Sequence, residues 1–545
     1  MDRQWAESRI EEKTEMKPEL ELLIQKMNKE LEMYEDHVSS QMGAYITEYV
    51  QKMQDEPEQE RVAAANLLRS LCDESKALSW VYLQSAALQI DFQPEAMYDF
   101  LIKVRGCTGL TVYNKSFILA QASNLIFRHS EMNSMDNTVA MEELMEWVCE
   151  NFEQRTGMEL TEIPFDERNQ NLVVVVTSQL IAIEHGPTKI TLGRCATLIR
   201  QMGKKVLLIN TAEMTSGVGM VPWYKAKLGM YLKKFLSYEK QMWKGIRIPF
   251  YQCEQIMPDI EEYRALLTQV IRLKPCMVIS IGANSIFANM CRKLVPTLAV
   301  GTFPSTLAPT LMRYQTLGRP IEDYDRTFLK RRGKTEDSVI EGVFTSDLRE
   351  ETEVASRQDW QIPSDAFVMA VVGGRLDDEV TDEFLTMLES VINDGTFVIF
   401  VGLDKEYEAR LIRYPVLAKH SRLLGFQKDT LALCRQYDLY VNPHRRGGGT
   451  SCVEAMSKGV PVVTTAFGDV SVNAGEAFCV RDYNEMREQI LRYRKDQEFY
   501  GHMSELARKR AEVLLDSDGE FVRIMHEVER REFVRRTHEN AGDGN

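Results

Sequence analysis

The spacing of apolar residues changes character near residue 165. Before that point they recur every three or four positions, as in Leu20, Ile24 and Met27, which is the periodicity of an amphipathic helix. The same spacing returns over 61–72, 77–91, 111–128 and 138–153. We therefore predict an all-helical N-terminal region over residues 1–165.

Short β-branched runs replace the helical spacing from Asn171 onward. The first run is Leu172 to Val176, and such runs are typical of strands buried on both faces of a parallel sheet. A predicted helix over 190–203 and a second strand over 205–210 complete a βαβ unit. Further elements are predicted over 259–273, 277–281 and 297–300. Residues 166–345 thus form a predicted Rossmann-like domain.

The alternation of strands and helices begins again after a polar stretch at 346–365. A strand starts at Phe367, and further strands are predicted over 396–402, 421–424, 439–441 and 460–464. The sequence from 500 to 536 is helical and highly charged. We predict a second Rossmann-like domain over 346–535 and a polar tail over 536–545. The fold class is α/β, with two doubly wound domains after a helical region.

The charge of the chain excludes general nucleic-acid binding. The 545 residues include 81 acidic and 66 basic side chains, a formal net charge of -15, which repels a phosphate backbone. The ten cysteines are scattered without a C-x-x-C pair, so neither a disulfide framework nor a zinc site is indicated. Any anion-binding site must therefore be local.

The expected location is the cytoplasm. The start Met1 to Glu7 has no charged segment followed by an apolar stretch, and no apolar run approaches ~18 residues. The stretch Trp223 to Arg247 interleaves lysines with aromatic residues in this acidic chain. It favours either peripheral contact with an anionic membrane or, more commonly, an amphipathic helix that covers the sheet.

The strongest chemical signal is a glycine-rich turn after the strand that ends at Val441. It includes Arg445, Arg446 and the run from Gly447 to Ser451, and a predicted helix follows it. The run consists of Gly447, Gly448, Gly449, Thr450 and Ser451. A helix N-terminus with unpaired N–H groups suits a diphosphate, and either arginine could add a bidentate fork. The alternative is a tight turn that only closes the fold.

Other candidate side chains follow from the same placement at strand ends. Glu454 lies in the helix after the glycine-rich turn, where it could accept hydrogen bonds from sugar hydroxyls or only favour the helix dipole. Asn284 and Ser285 follow a strand and could bind acceptor or phosphate, or cap a helix. Asp469 could meet the sugar or form a turn.

The segment from Leu423 to Thr465 resembles the donor-binding half of GT-B glycosyltransferases. The resemblance implies that Gly425 and Phe426, in the loop Leu-Gly-Phe, contact the nucleotide base. It also implies that the run from Val453 to Val463 carries the helix that binds ribose and diphosphate. By this resemblance residues 166–345 are the acceptor side and 346–535 the sugar-nucleotide donor side of a GT-B fold.

Two departures from the GT-B pattern concern charged positions. The retaining branch of the superfamily has an acid eight positions before the glutamate that corresponds to Glu454, and here that position is Arg446. The turn Gly373-Gly374-Arg375 resembles the G-R-L turn, but acids stand where a phosphate-binding lysine is expected. Gly374 and Arg375 remain as the expected phosphate partners.

The turn Glu184 to Thr188 is similar to the histidine-containing turn of the O-GlcNAc transferase family. There the histidine faces the reacting centre, so the resemblance implies a catalytic His185, with Gly186 and Thr188 beside it. A histidine at a strand-to-helix switch could act as a general base or as a hydrogen-bond donor to substrate. It could equally cap the helix or pack.

These observations predict a metal-independent glycosyltransferase, because no Asp-x-Asp follows a strand and cationic side chains can stabilise the diphosphate. The expected co-substrate is a nucleotide sugar, UDP-linked, with no further cofactor, and the expected acceptor is a protein or a glycan. The N-terminal helical region is expected to bind the acceptor or a partner protein. Two alternatives stay open, a non-catalytic GT-B subunit that supports a partner transferase and a sugar-nucleotide epimerase.

Overall fold

The computed structural model describes residues 17–33, 36–54, 56–129, 132–183, 185–215, 217–348, 351–403 and 407–542. The predicted N-terminal start, Glu184 of the histidine turn and the last three residues of the predicted tail lie outside these ranges. The chain forms two compact units. The first, called the helical unit, comprises residues 1–123, 131–144 and 217–227, and the second, called the sheet unit, comprises 124–130, 145–216 and 228–545.

The N-terminal part of the chain is helical, as the apolar spacing predicted. Its helices are α1 (Pro18–Met33), α2 (Ser40–Met53), α3 (Glu58–Ser70), α4 (Ala77–Leu88), α5 (Pro94–Gly106), α6 (Val112–Arg128) and α7 (Met135–Thr156). Buried side chains at helical spacing, such as Met27, Ile46 and Leu68, form one core of the helical unit. Tyr224 joins this core, and its N–H donates to Oγ of Ser85 at 2.9 Å.

The first sheet of the sheet unit has eight strands. They are β1 (Asn169–Thr177), β2 (Lys205–Asn210), β3 (Lys240–Trp243), β4 (Ile246–Gln252), β5 (Pro275–Ile281), β6 (Thr297–Val300), β7 (Tyr314–Leu317) and β8 (Val339–Glu341), in the order β3-β4-β2-β1-β5-β6-β7-β8. All pairs are parallel except β3 with β4. Its helices are α8 (Gly186–Arg200), α9 (Ile260–Leu273), α10 (Ile286–Met290) and α11 (Asp323–Arg331).

The second sheet has six parallel strands. They are β9 (Phe367–Val372), β10 (Thr396–Val401), β11 (Ser421–Leu423), β12 (Leu439–Val441), β13 (Val462–Thr465) and β14 (Cys479–Val480), in the order β11-β10-β9-β12-β13-β14. Its helices are α12 (Leu376–Glu379), α13 (Asp382–Val391), α14 (Glu408–Leu411), α15 (Pro415–Lys419), α16 (Thr430–Leu433), α17 (Gly449–Ser457), α18 (Gly468–Ala474), α19 (Tyr483–Lys495) and α20 (Gln497–Leu515). The two parallel sheets confirm the predicted fold class.

The last helix, α21 (Ser517–Gly542), packs on the first sheet although its sequence follows the second. Its apolar face, which includes Phe521, Ile524 and Val528, belongs to the core of the first sheet. Arg194 of α8 donates to the backbone oxygen of Ser517 at 2.6 Å. The residues assigned to the second domain up to 535 therefore include a helix of the first, and the expected polar tail continues this helix as far as Gly542.

The stretch Trp223 to Arg247 is not the amphipathic helix that we expected. Its second half enters the hairpin of β3 and β4, because Ile248 and Phe250 alternate with the exposed Arg247, Pro249 and Tyr251 at the two-residue period of a strand. The aromatic side chains of Trp223, Phe235 and Trp243 are buried. These rings are thus not available at the surface for contact with a membrane. No described helix is long and apolar enough to span a bilayer.

Candidate active site

The glycine-rich turn connects β12 to the N-terminus of α17. Gly448 caps this helix with a φ of 103°, a left-handed conformation that favours glycine. A Cβ on Gly448 would also lie 2.6 Å from Nη2 of Arg445. Small residues at this point let the chain turn sharply, so that the first N–H groups of a nine-residue helix begin at Gly449, beside the turn.

Arg445 points into the domain rather than towards a ligand. Its guanidinium donates to Oδ1 of Asn442 at 2.8 Å, to Oε2 of Glu379 at 2.8 Å and to the backbone oxygen of Val372 at 2.6 Å. The residue is only 4% exposed. It therefore fixes the glycine-rich turn to the end of β9, and its contacts give no support to the expected role as a diphosphate ligand.

Arg375, in the turn that resembles G-R-L, lies against the glycine-rich turn. Its Nη2 occupies the space beside Gly447, where a Cβ would approach it to 2.8 Å. Its guanidinium pairs with Glu379 at 3.0 Å and lies 4.6 Å from the ring centre of Phe127. Gly374, just before it, has open space where a Cβ would be. Arg375 remains partly exposed and can reach an anion bound at the turn.

Glu379, one of the acids that depart from the G-R-L pattern, holds both Arg375 and Arg445. Its two oxygens accept hydrogen bonds from Arg445 at 2.8 Å and Arg375 at 3.1 Å, and its side chain is 6% exposed. Charge-assisted hydrogen bonds of this kind are short and hold the guanidinium planes in place. Glu379 thus positions the two guanidinium groups. Its spacing of four residues from Arg375 on a helical turn was the available signal.

Arg446 has the opposite environment to its neighbour Arg445. It is partly buried, and its Nη2 is inaccessible to solvent and has no hydrogen-bond partner among the described residues. Burial lowers the pKa of the guanidinium, and the nearby carboxylate of Asp469 opposes this shift. A buried N–H donor without a partner costs about 1 to 3 kcal/mol, so a bound anion at this position would remove that cost.

Asp469, in the first turn of α18, lies beside Arg446. Its N–H donates to the backbone oxygen of Arg446 at 2.7 Å, and its Oδ1 accepts from Oγ of Ser305 at 3.0 Å. Burial raises the pKa of this carboxyl group to about 7, although the Ser305 hydrogen bond and Arg446 oppose the shift. Since Ser305 follows β6, this hydrogen bond joins the carboxyl edges of the two sheets.

His185 caps α8, at the carboxyl edge of the first sheet. Its Nδ1 lies 3.1 Å from Oγ1 of Thr188, and that oxygen also accepts from the N–H of Ile181 at 3.2 Å. Burial, with a smaller effect of Lys189, lowers the pKa of the imidazole to about 4. The ring is therefore neutral near pH 7, and its Nε2 has no partner among the residues described. In the tautomer with the ring proton on Nδ1, the lone pair of Nε2 can accept a proton.

The histidine turn and the glycine-rich turn face each other. A Cβ on Gly186 would lie 3.9 Å from Oγ1 of Thr450, and Nζ of Lys189 lies 3.9 Å from Oε1 of Glu454. Both charged groups are buried. Their contact was not predicted, since Lys189 follows the histidine turn by one residue and no motif marked it.

Two side chains of α17, Glu454 and Ser451, are held by further hydrogen bonds. Oε2 of Glu454 accepts a hydrogen bond from Oγ1 of Thr430 at 2.6 Å, and Glu454 is 3% exposed. Oγ of Ser451 pairs with the hydroxyl of Tyr440 at 2.9 Å and donates to the backbone oxygen of Gly448 at 3.0 Å. Ser451 thus stabilises the turn, and Glu454 lies where α16, α17 and α8 meet.

The loop after β11 presents an aromatic ring to solvent. Gly425 has a φ of 59°, and its N–H and C=O pair with Leu403 and Gly402 at 2.8 Å. Phe426 follows with 78% of its surface exposed. A large apolar side chain that is mostly exposed is suited to stack on a ligand.

Asn284 and Ser285 are not brought into this cluster by any contact in the described chain. Ser285 caps α10, with its Oγ accepting from the N–H of Ala288 at 3.2 Å, and it is 1% exposed. The hydroxyl of Ser285 is thus buried as a helix cap, and this position gives no support to the expected role in binding acceptor or phosphate. Asn284 is exposed, and its part in binding stays a prediction.

Residues 368–496 match the family model described as glycosyl transferases group 1. No curated protein matches the sequence. Among solved structures, a mutant O-GlcNAc transferase of Thermobaculum terrenum has a TM-score of 0.55 at 14% identity, over 96% of this chain and 100% of that chain. A glycosyltransferase of Rickettsia africae has a TM-score of 0.48 at 9% identity, over 67% of this chain and 99% of that chain. HepE of Anabaena, solved with UDP and glucose, has a TM-score of 0.47 at 14% identity, over 66% of this chain and 100% of that chain.

The family match and the fold likeness both include the segment that holds the glycine-rich turn. The matched segment begins in β9 and ends just after α19, so it contains the glycine-rich turn, Arg375 and Phe426. The likeness to the Thermobaculum protein extends over both sheets and the helices before them. The chain therefore has the GT-B glycosyltransferase fold, and its residues 368–496 match the group 1 glycosyl transferases.

Proposed function

We propose that this chain transfers a sugar from a nucleoside diphosphate donor, UDP-linked in the first instance, to a protein or glycan acceptor. The observation that carries this proposal is Arg446, a partly buried guanidinium with an unpaired Nη2 beside the N-terminus of α17. Such a donor, placed next to a helix N-terminus, suits an anion. In a GT-B fold, the anion bound at the N-terminus of α17 would be the pyrophosphate of a nucleotide sugar.

The chain's own cations would stabilise the leaving diphosphate. Arg446 and Arg375 would donate hydrogen bonds to the phosphate oxygens, and the N–H groups at the start of α17 would add their partial positive charge. Glu379 keeps Arg375 in place, as its 3.0 Å ion pair indicates. We propose that these groups do the work that a divalent cation does in other transferases, and removal of divalent ions should leave the rate unchanged.

The facing turn would supply the acceptor chemistry. The pKa of His185 is lowered to about 4, so the ring is neutral near pH 7. In the tautomer with Nδ1–H donating to Thr188, Nε2 would accept a proton from an attacking hydroxyl. Thr188 orients the ring by its contact with Nδ1, 3.1 Å away. Glu454 and Lys189, 3.9 Å apart, would exchange part of their mutual pairing for hydrogen bonds to sugar hydroxyls.

Two alternatives use the same fold. A non-catalytic subunit would bind a partner transferase, and the position of Arg446 in place of an acid favours keeping this candidate. An epimerase would change the sugar of the donor without an acceptor. Both predict different products from a transferase, so one set of incubations distinguishes all three.

The test is a thermal-shift screen of the full chain against UDP-, GDP-, ADP- and TDP-linked sugars, with and without EDTA. A ligand that binds only the folded state at 100 times its Kd stabilises it by about 2.7 kcal/mol. We expect UDP-sugars to raise the midpoint in both buffers. Mass spectrometry of the product mixture should then show free nucleoside diphosphate and a glycosylated acceptor. No shift with any donor would reject the donor site. A new sugar epimer on the intact donor, resolved by NMR because epimers have the same mass, would identify an epimerase.

A further inference from the structure

The helical unit contains a polar cavity of about 450 Å³ that no part of the proposed transfer reaction uses. It lies among α3, α4 and α5, and side chains from all three helices line it. Cavities that bind ligands fall in the range of about 300 to 1,000 Å³. Its size alone therefore permits a ligand, and its lining shows which kind.

Two N–H donors of the lining are buried without an acceptor. Nε1 of Trp80 and Nη2 of Arg69 are inaccessible to solvent and have no hydrogen-bond partner among the described residues. Trp80 is 1% exposed, and the other terminal nitrogen of Arg69 is already paired with Asp91 at 2.9 Å. Buried donors in native proteins nearly always find an acceptor. Both donors belong to residues of the lining, so a ligand that carries oxygen acceptors would satisfy them.

The rest of the lining is acidic. Four carboxylates face two cations there, a net charge of −2. Arg69 pairs with Asp91 at 2.9 Å and Lys103 pairs with Glu74 at 2.7 Å, whereas Glu95 and Asp99 are exposed and make no ion pair within the described chain. The free carboxylates repel phosphates and attract cations.

The cavity does not suit a saccharide. Sugar sites commonly offer an aromatic face, but the rings of Trp80 and Phe100 pack together at 5.6 Å and are each 1% exposed. Only the indole N–H of Trp80 is left to interact. We propose that this cavity binds an extended polypeptide segment with lysine or arginine side chains, whose backbone oxygens would accept from Trp80 and Arg69 while its cations meet Glu95 and Asp99.

The test measures binding of a fluorescein-labelled peptide, Gly-Ser-Lys-Gly-Lys-Gly-Ser, to the full chain by fluorescence polarisation. Matched peptides carry glutamine or glutamate in place of both lysines. We expect the lysine peptide to bind at least tenfold tighter than either. Equal affinity for the glutamine peptide, or no binding of any peptide, would overturn the proposal.

Variants separate a built site from general attraction to an acidic protein. The double variant Glu95→Gln with Asp99→Asn should weaken the lysine peptide about tenfold. The control, Glu21→Gln with Glu48→Gln, removes two exposed acids of the same unit outside the cavity and should leave binding unchanged. If both double variants weaken binding equally, only general electrostatics is at work and the site is rejected.

Trp80→Phe tests the buried donor. It keeps an aromatic ring and removes one N–H, so it should weaken the lysine peptide about fivefold. Unchanged affinity in a folded Trp80→Phe variant would mean that the indole N–H does not donate to the peptide, which contradicts the proposal. The carboxylate variants alter only exposed side chains, so they decide the question even if Trp80→Phe does not fold.

Discussion

The candidate active site joins two turns of the same topology and of different chemistry. Each follows a buried strand and opens a helix, yet the turn before α17 carries three glycines with Arg446, whereas the turn before α8 carries a neutral histidine held by Thr188. The first is suited to an anion, and the second to a neutral hydroxyl that must lose a proton. The carboxyl edges of two parallel sheets bring these turns together, and the residue types would divide the proposed reaction between them.

His185→Asn should produce the largest effect on turnover. If the imidazole accepts the acceptor's proton, its loss should lower kcat about 100-fold and leave the Kd of the donor unchanged. The wild-type kcat should stay constant from about pH 6 to pH 8, because the pKa of His185 is near 4. Steady-state kinetics with a separate donor titration measures both. A loss of donor affinity with unchanged kcat would place His185 on the donor side.

Glu379→Gln should weaken the donor turn and the fold together. It leaves the buried Arg445 without its carboxylate, which should cost about 3 kcal/mol of the free energy of unfolding, and it releases Arg375, which should weaken donor binding about tenfold. Urea denaturation and donor titration provide the two values. Glu383→Gln, an exposed acid of α13, is the matched control and should change neither. If the donor binds normally to Glu379→Gln, the two arginines do not depend on this acid.

Phe426→Ala should weaken donor binding about fivefold, since the ring has an open face and stacking on a base is worth about 1 kcal/mol or more. The free energy of unfolding should not change, because 78% of the side chain is already exposed. Ile412→Ala, 75% exposed, is the control. Calorimetric titration with a UDP-sugar makes the comparison, and equal affinities of the two variants would remove Phe426 from the site.

Asp469→Asn should change how the free energy of unfolding and the donor affinity depend on pH. Its effect on donor affinity should be the smallest of the set. The pKa of Asp469 is raised from 3.8 to about 7, so the folded state holds a proton that the unfolded state releases between about pH 4 and pH 7. The free energy of unfolding should therefore fall as pH rises through that window, and this slope should flatten in Asp469→Asn.

Donor affinity should follow the same group. A neutral Asp469 leaves Arg446 free, so a UDP-sugar, whose pyrophosphate does not titrate there, should bind about threefold tighter at pH 6 than at pH 8. The difference should vanish in Asp469→Asn and persist in Asp365→Asn, which removes an exposed acid of the same domain. A pH dependence that survives in Asp469→Asn would assign it to another group.

Local patterns predicted the turns but not the directions of their side chains. The β-branched run of β1 and the glycines before α17 each express a short-range rule, so both could be read from neighbouring residues. Arg445 and Arg446 look equivalent in the sequence. Only the positions of Glu379 and Val372, brought close by folding, turn Arg445 inward and leave Arg446 unpaired.

Two other differences between the sequence-based expectations and the structure also arise from tertiary packing. The hairpin of β3 and β4 begins within the stretch Trp223 to Arg247, which was expected as a helix. Lysines and aromatic residues at close spacing fit either period, and only the burial of Ile248 and Phe250 beyond this stretch decides for a strand. The contact of Lys189 with Glu454 depends on how two sheets face each other. Tertiary packing of this kind has no signature within a single segment of sequence.

The most direct test of the central claim is the Kd of a UDP-sugar for Arg446→Gln, measured by calorimetry beside Arg435→Gln. Arg435 lies in the same domain with its side chain 59% exposed, and it pairs with Glu351 at 2.8 Å. Loss of a charge-assisted hydrogen bond of about 2 kcal/mol predicts about 30-fold weaker binding for Arg446→Gln and unchanged binding for Arg435→Gln. Donor binding by Arg446→Gln within twofold of the wild type would contradict the proposed site.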